Sequence, residues 1–101
     1  MDALIRIELA VRALIVGKGS IRERLHHVYG EHLAHVKPGA VPAELAPQMS
    51  FILRSLGHRD GAVPTNADVA QCIDKLSMKS CNALALRIFE LHCAISQGLY
   101  H

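Results

Sequence analysis

The chain has 101 residues, half of them apolar, with eleven Lys and Arg, nine Asp and Glu and seven His. That length suits one domain with one core, and so large an apolar share excludes a disordered chain. A formal charge of +2 creates no strong field of either sign, so the balance alone selects neither nucleic acid nor an acidic partner.

The apolar half is mostly Leu, Ala, Ile and Val, with two Tyr, two Phe and no Trp. Such a mixture suits helix packing better than aromatic-rich sheets. No stretch alternates apolar and polar residues, and none repeats. The expectation is an all-α single domain over residues 1–101, a compact bundle of four to five helices.

DALIRIELAVRALIV predicts a first helix from Asp2 to Val16. Asp2 favours the positive end of the helix dipole, and Gly17 and Gly19 supply the stop. Leu4, Ile7, Val11, Leu14 and Ile15 form one apolar stripe. Ile5, Leu9 and Val16, with Ala13 beside them, form a second on roughly the opposite side. Arg6, Glu8 and Arg12 break the apolar run, which argues against both a signal-peptide core and a membrane span of about 20 residues. The expected compartment is the cytoplasm. Cys72, Cys81 and Cys93 fit it, because three thiols without a CxxC spacing suit buried small hydrophobes better than a disulfide framework.

SIRE opens the second helix with a capping box, Ser20 and Glu23, and KPG ends it near Val36. Gly30 weakens its middle by up to about 1 kcal/mol relative to Ala, so either a neighbour approaches closely there or the helix bends. On a 100° wheel Ile21, Leu25, Val28, His32 and Val36 make the core face, with Tyr29 at its edge. His32 therefore stands where an aliphatic residue belongs, as a hydrogen-bonded core or boundary histidine. His27, Glu31 and His35 share another face. A span of eight residues separates its ends by about 12 Å, too far for one metal ion. The zinc-peptidase patterns are absent, and the wheel separates His27 and His32 by about 140°. No metal or cofactor is expected.

A third helix is predicted over Ala43 to Leu56, its first turn crowded by Pro42 and Pro47. GHRDGAVP reads as a loop. Thr65 and Asp68 form a capping box for a fourth helix, which lasts to Lys75 or Leu76. Ser77 or Ser80 starts a fifth, which runs to about Ser96 and stops at Gly98. Its seam is Cys81, Leu84, Ile88, Leu91 and Ile95. Met78, Leu86, Phe89 and Cys93 widen the apolar arc past half the circumference.

Catalytic constellations are lacking. Cys81 and His92 share a side of helix five, but three turns apart, beyond the reach of a nucleophile and its base. The sequence contains no nucleophile elbow, phosphate loop or dinucleotide fingerprint. A helix-turn-helix over DVAQCIDKLSMKSCNALALRI would put Asp74 at the turn and charged Lys75 at its buried position. No enzyme is expected.

A domain this small can enclose one helix, and both the first, with two apolar stripes, and the fifth, with its wide arc, are too apolar for one-sided surface helices. One apolar face should therefore stay outside and meet another chain. The expected function is a protein-interaction module, acting as an adaptor, regulator or subunit. One version is a small bacterial or phage-encoded inhibitor of a larger protein. The partner is a protein, with self-association as a dimer. The interface residues are Ile5, Leu9 and Val16 on helix one and Met78, Leu86 and Phe89 on helix five. The competing reading for helix one is a buried central helix. Two alternative functions remain. A nucleic-acid-associated regulator would use Lys18, Arg22 and Arg24, with His26 and His27 beyond. A metal- or pH-responsive protein would use the histidines.

Overall fold

The computed structural model describes residues 3–36, 38–58 and 64–98. They form five α-helices: α1 (Ala3–Val16), α2 (Ile21–Glu31), α3 (Ala46–Ser55), α4 (Asn66–Lys75) and α5 (Met78–Gly98). Short 3₁₀ turns at Leu33–His35, Pro38–Ala40 and Ala43–Leu45 connect α2 to α3. No strand occurs among the described residues, and the fold is an all-α bundle.

The helix starts are built locally. At α2 the Ser20 hydroxyl accepts the Glu23 backbone N–H, but the Glu23 carboxylate lies 3.4 Å from Ser20 Oγ rather than on the Ser20 N–H, so the expected capping box is only half formed. At α4 the Thr65 hydroxyl accepts the Asp68 N–H while the Asp68 carboxylate accepts the Thr65 N–H, a complete capping box. Ser77 Oγ accepts the Ser80 N–H at the start of α5. Each of these bonds satisfies a donor that the first turn leaves open. Pro47 occupies the first turn of α3, where a missing N–H is harmless. The third helix is consequently shorter than predicted, its first turn being the 3₁₀ segment Ala43–Leu45.

The end of α3 is equally defined. The Gly57 N–H donates to Arg54 O and the His58 N–H to Leu53 O, each at 3.0 Å, closing a Schellman motif. Gly57 has φ +100°, and a Cβ there would lie 2.9 Å from Cys72 Sγ. The position needs glycine for its backbone and for the approach of α4.

One core joins all five helices. The buried line of α5 is Cys81, Leu84, Ile88, Leu91 and Ile95, the predicted seam. α1 contributes Ala3, Ile7, Ala10, Val11 and Leu14 and packs on both α2 and α5. Full burial of an aliphatic side chain such as Ile7 or Ile88 stabilises by about 1.5–3 kcal/mol. Every buried side chain described is apolar or Tyr29, and no buried side-chain nitrogen or oxygen among them lacks a partner.

Three expectations need correction. The second helix ends at Glu31, not Val36. His32 turns out of the helix at φ −127°, ψ −59°, and the chain continues as a 3₁₀ turn. Leu33 and Val36 are still buried, so the apolar spacing beyond residue 31 reflects core contact without an α-helix. His32 is half-buried, at the boundary of the core as its place on the wheel implied. A Cβ at Gly30 would meet nothing within 4 Å outside its own helix, which excludes a close approach; the residue stands one before the helix stops.

Secondly, Ile15 does not belong to the core stripe. It is 67% exposed, because it lies 100° past buried Leu14 in the last turn of α1. Thirdly, α1 is not enclosed. Ile5, Ile15 and Val16 are all exposed, so the buried-central-helix reading does not describe it.

Candidate interaction surface

Five of the six residues expected at an interface are open to solvent. Ile5 is 47% exposed, Val16 76%, Met78 47%, Leu86 57% and Phe89 44%, whereas Leu9 is half-buried. On α5, Leu86 and Phe89 belong to a line with Asn82 and Cys93, spaced by four, three and four residues on nearly the far side from the core seam. Asn82 is exposed and Cys93 half-buried. On α1, Ile5 and Val16 share one outer line with Arg12, whose guanidinium lies 3.4 Å from Glu8. Met78 is less open than its position suggests, since the Arg22 guanidinium lies 3.7 Å from its sulfur.

The basic cluster is divided by the fold. Arg22 reaches from the first turn of α2 to the end of α4. It donates to Ile73 O at 3.2 Å, Asp74 O at 2.6 Å and Leu76 O at 2.7 Å. Ile73 O also accepts the capping Leu76 N–H at 3.1 Å, whereas no backbone N–H described donates to Asp74 O or Leu76 O, and the negative end of the α4 dipole favours a cation there. Arg24 does the same for α1, donating to Leu14 O at 2.9 Å and to Gly19 O at 3.2 Å. Lys18 is exposed. Two of the three cations expected to form a nucleic-acid surface therefore hold helix ends together.

The histidines also separate by task. His26 Nε2 lies 2.9 Å from Asp74 Oδ1, a second tie between α2 and α4 at the surface. His27 is exposed, and its ring meets that of His32 edge-on with centroids 6.5 Å apart. That approach corrects the wheel, which assumed an unbroken helix between them. No group of three His, Cys, Asp or Glu among the described residues could hold a metal ion.

His58, placed by the Schellman turn, is not among the sequence candidates. Its Nε2 lies 2.7 Å from the hydroxyl of Tyr29, which is buried. Desolvation raises the Tyr29 pKa above its usual 10.0 and lowers that of His58 below its usual 6.5. Both shifts favour the uncharged pair. With the imidazole proton on Nδ1, the phenol donates and the imidazole accepts.

A second feature is absent from the sequence expectations. Phe51 on α3 is exposed, and the Arg87 guanidinium of α5 lies over its ring, 4.3 Å from the centroid. Phe51 could have been found, since it falls off the Met49–Ile52–Leu53 core stripe. Its pairing with Arg87, 36 residues away, carries no local signal. Around Arg87 the α3–α5 groove opens into two shallow depressions. One, of about 310 Å³, is lined by Phe51, Ser55, Leu76, Ser80, Ala83 and Leu84. The other, of about 320 Å³, is lined by Gln48, Ile52 and Glu90.

No family model, curated protein or solved structure matches the chain. No helix among the described residues is long and apolar enough to cross a membrane.

Proposed function

We propose that the protein is a cytoplasmic protein-interaction module that pairs with a second copy of itself through the outer faces of α1 and α5. Its role is that of an adaptor, regulator or subunit, of which a bacterial or phage inhibitor of a larger protein is one form. One observation supports the reading. Six large apolar side chains on these two helices, Ile5, Ile15, Val16, Met78, Leu86 and Phe89, stand roughly half or more exposed. Apolar area of that extent, where contiguous, is more typical of interfaces than of free surfaces.

The magnitudes permit a modest dimer. Covering the exposed half of each side chain is worth about 1 kcal/mol. Two copies meeting through both faces would gain about 12 kcal/mol, against an association cost of about 4–15 kcal/mol. With the cost near the low end of that range, dissociation falls at micromolar to tens-of-micromolar concentrations, about 6–8 kcal/mol. The nucleic-acid alternative is weaker, because Arg22 and Arg24 are committed to backbone carbonyls.

Leu86→Asp tests the proposal on an exposed residue whose loss leaves the core seam intact. About a two-fold axis each interface would receive two unpaired carboxylates. Sedimentation should show wild type dimerising at concentrations on the order of tens of micromolar, with Leu86→Asp shifted at least about tenfold toward monomer at equal helicity. A wild type that stays monomeric over this range would refute it.

A further inference from the structure

We propose that the α3–α5 groove binds a short linear segment of a partner protein in which a bulky apolar side chain is followed by a single carboxylate. The recognition group is Arg87. Its guanidinium carbon lies over the Phe51 ring, 4.3 Å from the centroid, and the group makes no hydrogen bond or ion pair among the described residues. A cation–π contact engages the guanidinium without using its N–H donors, which leaves them available to a planar carboxylate.

The groove supplies the rest of the selectivity. Arg87 separates the two depressions, one toward Ser55 and Ser80 and the other toward Gln48 and Glu90. In the first, Phe51, Leu76, Ala83 and Leu84 offer an apolar floor with hydroxyls at its rim, large enough for one Leu-sized side chain. The second is bordered by Glu90, which would repel another carboxylate and favour a neutral or basic residue. Both depressions are open on one side. Small metabolites are generally enclosed, whereas an extended chain can cross a half-open groove and place neighbouring side chains on either side of Arg87.

The groove's recognition residue, Arg87, is not one of the proposed dimer residues. The two surfaces adjoin at Ala83 and Leu86, three residues apart on α5, but Arg87 and Phe89 flank the buried seam on opposite sides, and self-association and peptide binding are read by different measurements. Failure of self-association would therefore leave the groove proposal standing, and the reverse also holds.

The probe is the acetylated, amidated peptide Ala-Leu-Glu-Lys-Ala, titrated into the ¹⁵N-labelled full chain and followed by NMR. Shift changes should cluster at residues 48–55 and 76–90, with a dissociation constant on the order of 1 mM. Replacing the peptide Glu by Gln, or introducing Arg87→Gln, should each weaken binding about fivefold, while Glu90→Gln should strengthen it. The peptide substitution needs no change in the protein, so a folding defect cannot mask the result. Absence of shifts at several millimolar, shifts confined to α1 and α2, or equal affinity for the Glu and Gln peptides would overturn the proposal.

Discussion

Arg22 and Arg87 carry the same charge and stand in different electrostatic situations. The Arg22 fork meets three carbonyls at and just past the end of α4, so its donors are engaged inside the fold. Arg87 lies on an aromatic ring in a groove, with its donors directed at nothing among the described residues. Both count equally in the net charge. Only the second is available to a partner. A basic cluster therefore measures binding potential only after the carbonyls within its reach have been subtracted, and α2 loses most of its cluster that way.

Removing the engaged arginines should give the largest effects. Arg22→Ala deletes three charge-assisted bonds and leaves the Asp74 and Leu76 carbonyls without the donor described for them. The expected loss is about 2–4 kcal/mol, read from urea unfolding. Arg24→Ala deletes two such bonds at a more open site and should lose about 1–2 kcal/mol. Arg22→Lys should recover less than half of the Arg22→Ala loss, since an ammonium cannot span three carbonyls as the fork does. If Arg22→Ala is as stable as wild type, its donors are not engaged in solution, and the nucleic-acid reading regains its surface.

The same division explains what was legible in advance. Helix starts depend on residues three apart, so Thr65 with Asp68, Ser20 with Glu23 and Ser77 with Ser80 could be read locally. The α5 seam could be read because a buried helix face repeats at fixed spacing. The end of α2 could not. Leu33 and Val36 keep an apolar rhythm because they reach the core from a 3₁₀ turn, and periodicity reports burial more faithfully than backbone geometry. Of the candidate site, the outer residues of α1 and α5 followed from an excess of apolar arc. Arg22 on Ile73, Tyr29 on His58 and Arg87 on Phe51 are contacts 51, 29 and 36 residues apart, which no spacing rule announces.

The Tyr29–His58 pair extends the comparison to a neutral contact and should have an intermediate effect. Tyr29→Phe removes the hydroxyl beside a half-buried imidazole and should cost about 1 kcal/mol at neutral pH. The His58 pKa is lowered in the fold, so the unfolded chain takes up the proton first. Stability is then fully present above pH 6.5 and declines as pH falls through the interval between that value and the lower folded one. Tyr29, with its pKa raised, produces the opposite limb: stability is full below pH 10.0 and declines as pH rises beyond it. Urea midpoints of wild type and His58→Asn across pH 5 to 7 isolate the acid limb, because other titrating groups contribute equally to both. Equal slopes would mean that His58 is as well solvated folded as unfolded.

Arg87→Ala should have the smallest effect on stability, and that is what makes it informative. The substitution breaks no hydrogen bond described in the structure, and it removes one exposed cation–π pair, worth about 0.5–1 kcal/mol. Ala is also a slightly better helix former than Arg, which offsets a few tenths of that in the middle of α5. The net change should be about 0.5 kcal/mol or less, several times smaller than for Arg22→Ala in the same urea series. The difference comes from the partners rather than the charge, since both substitutions remove one guanidinium. Raising the salt concentration should leave the ranking unchanged, because neither arginine is held by a long-range surface field. If Arg87→Ala instead destabilises by about 2 kcal/mol or more, the Phe51–Arg87 stack is a structural clasp between α3 and α5, and the contrast with Arg22 disappears.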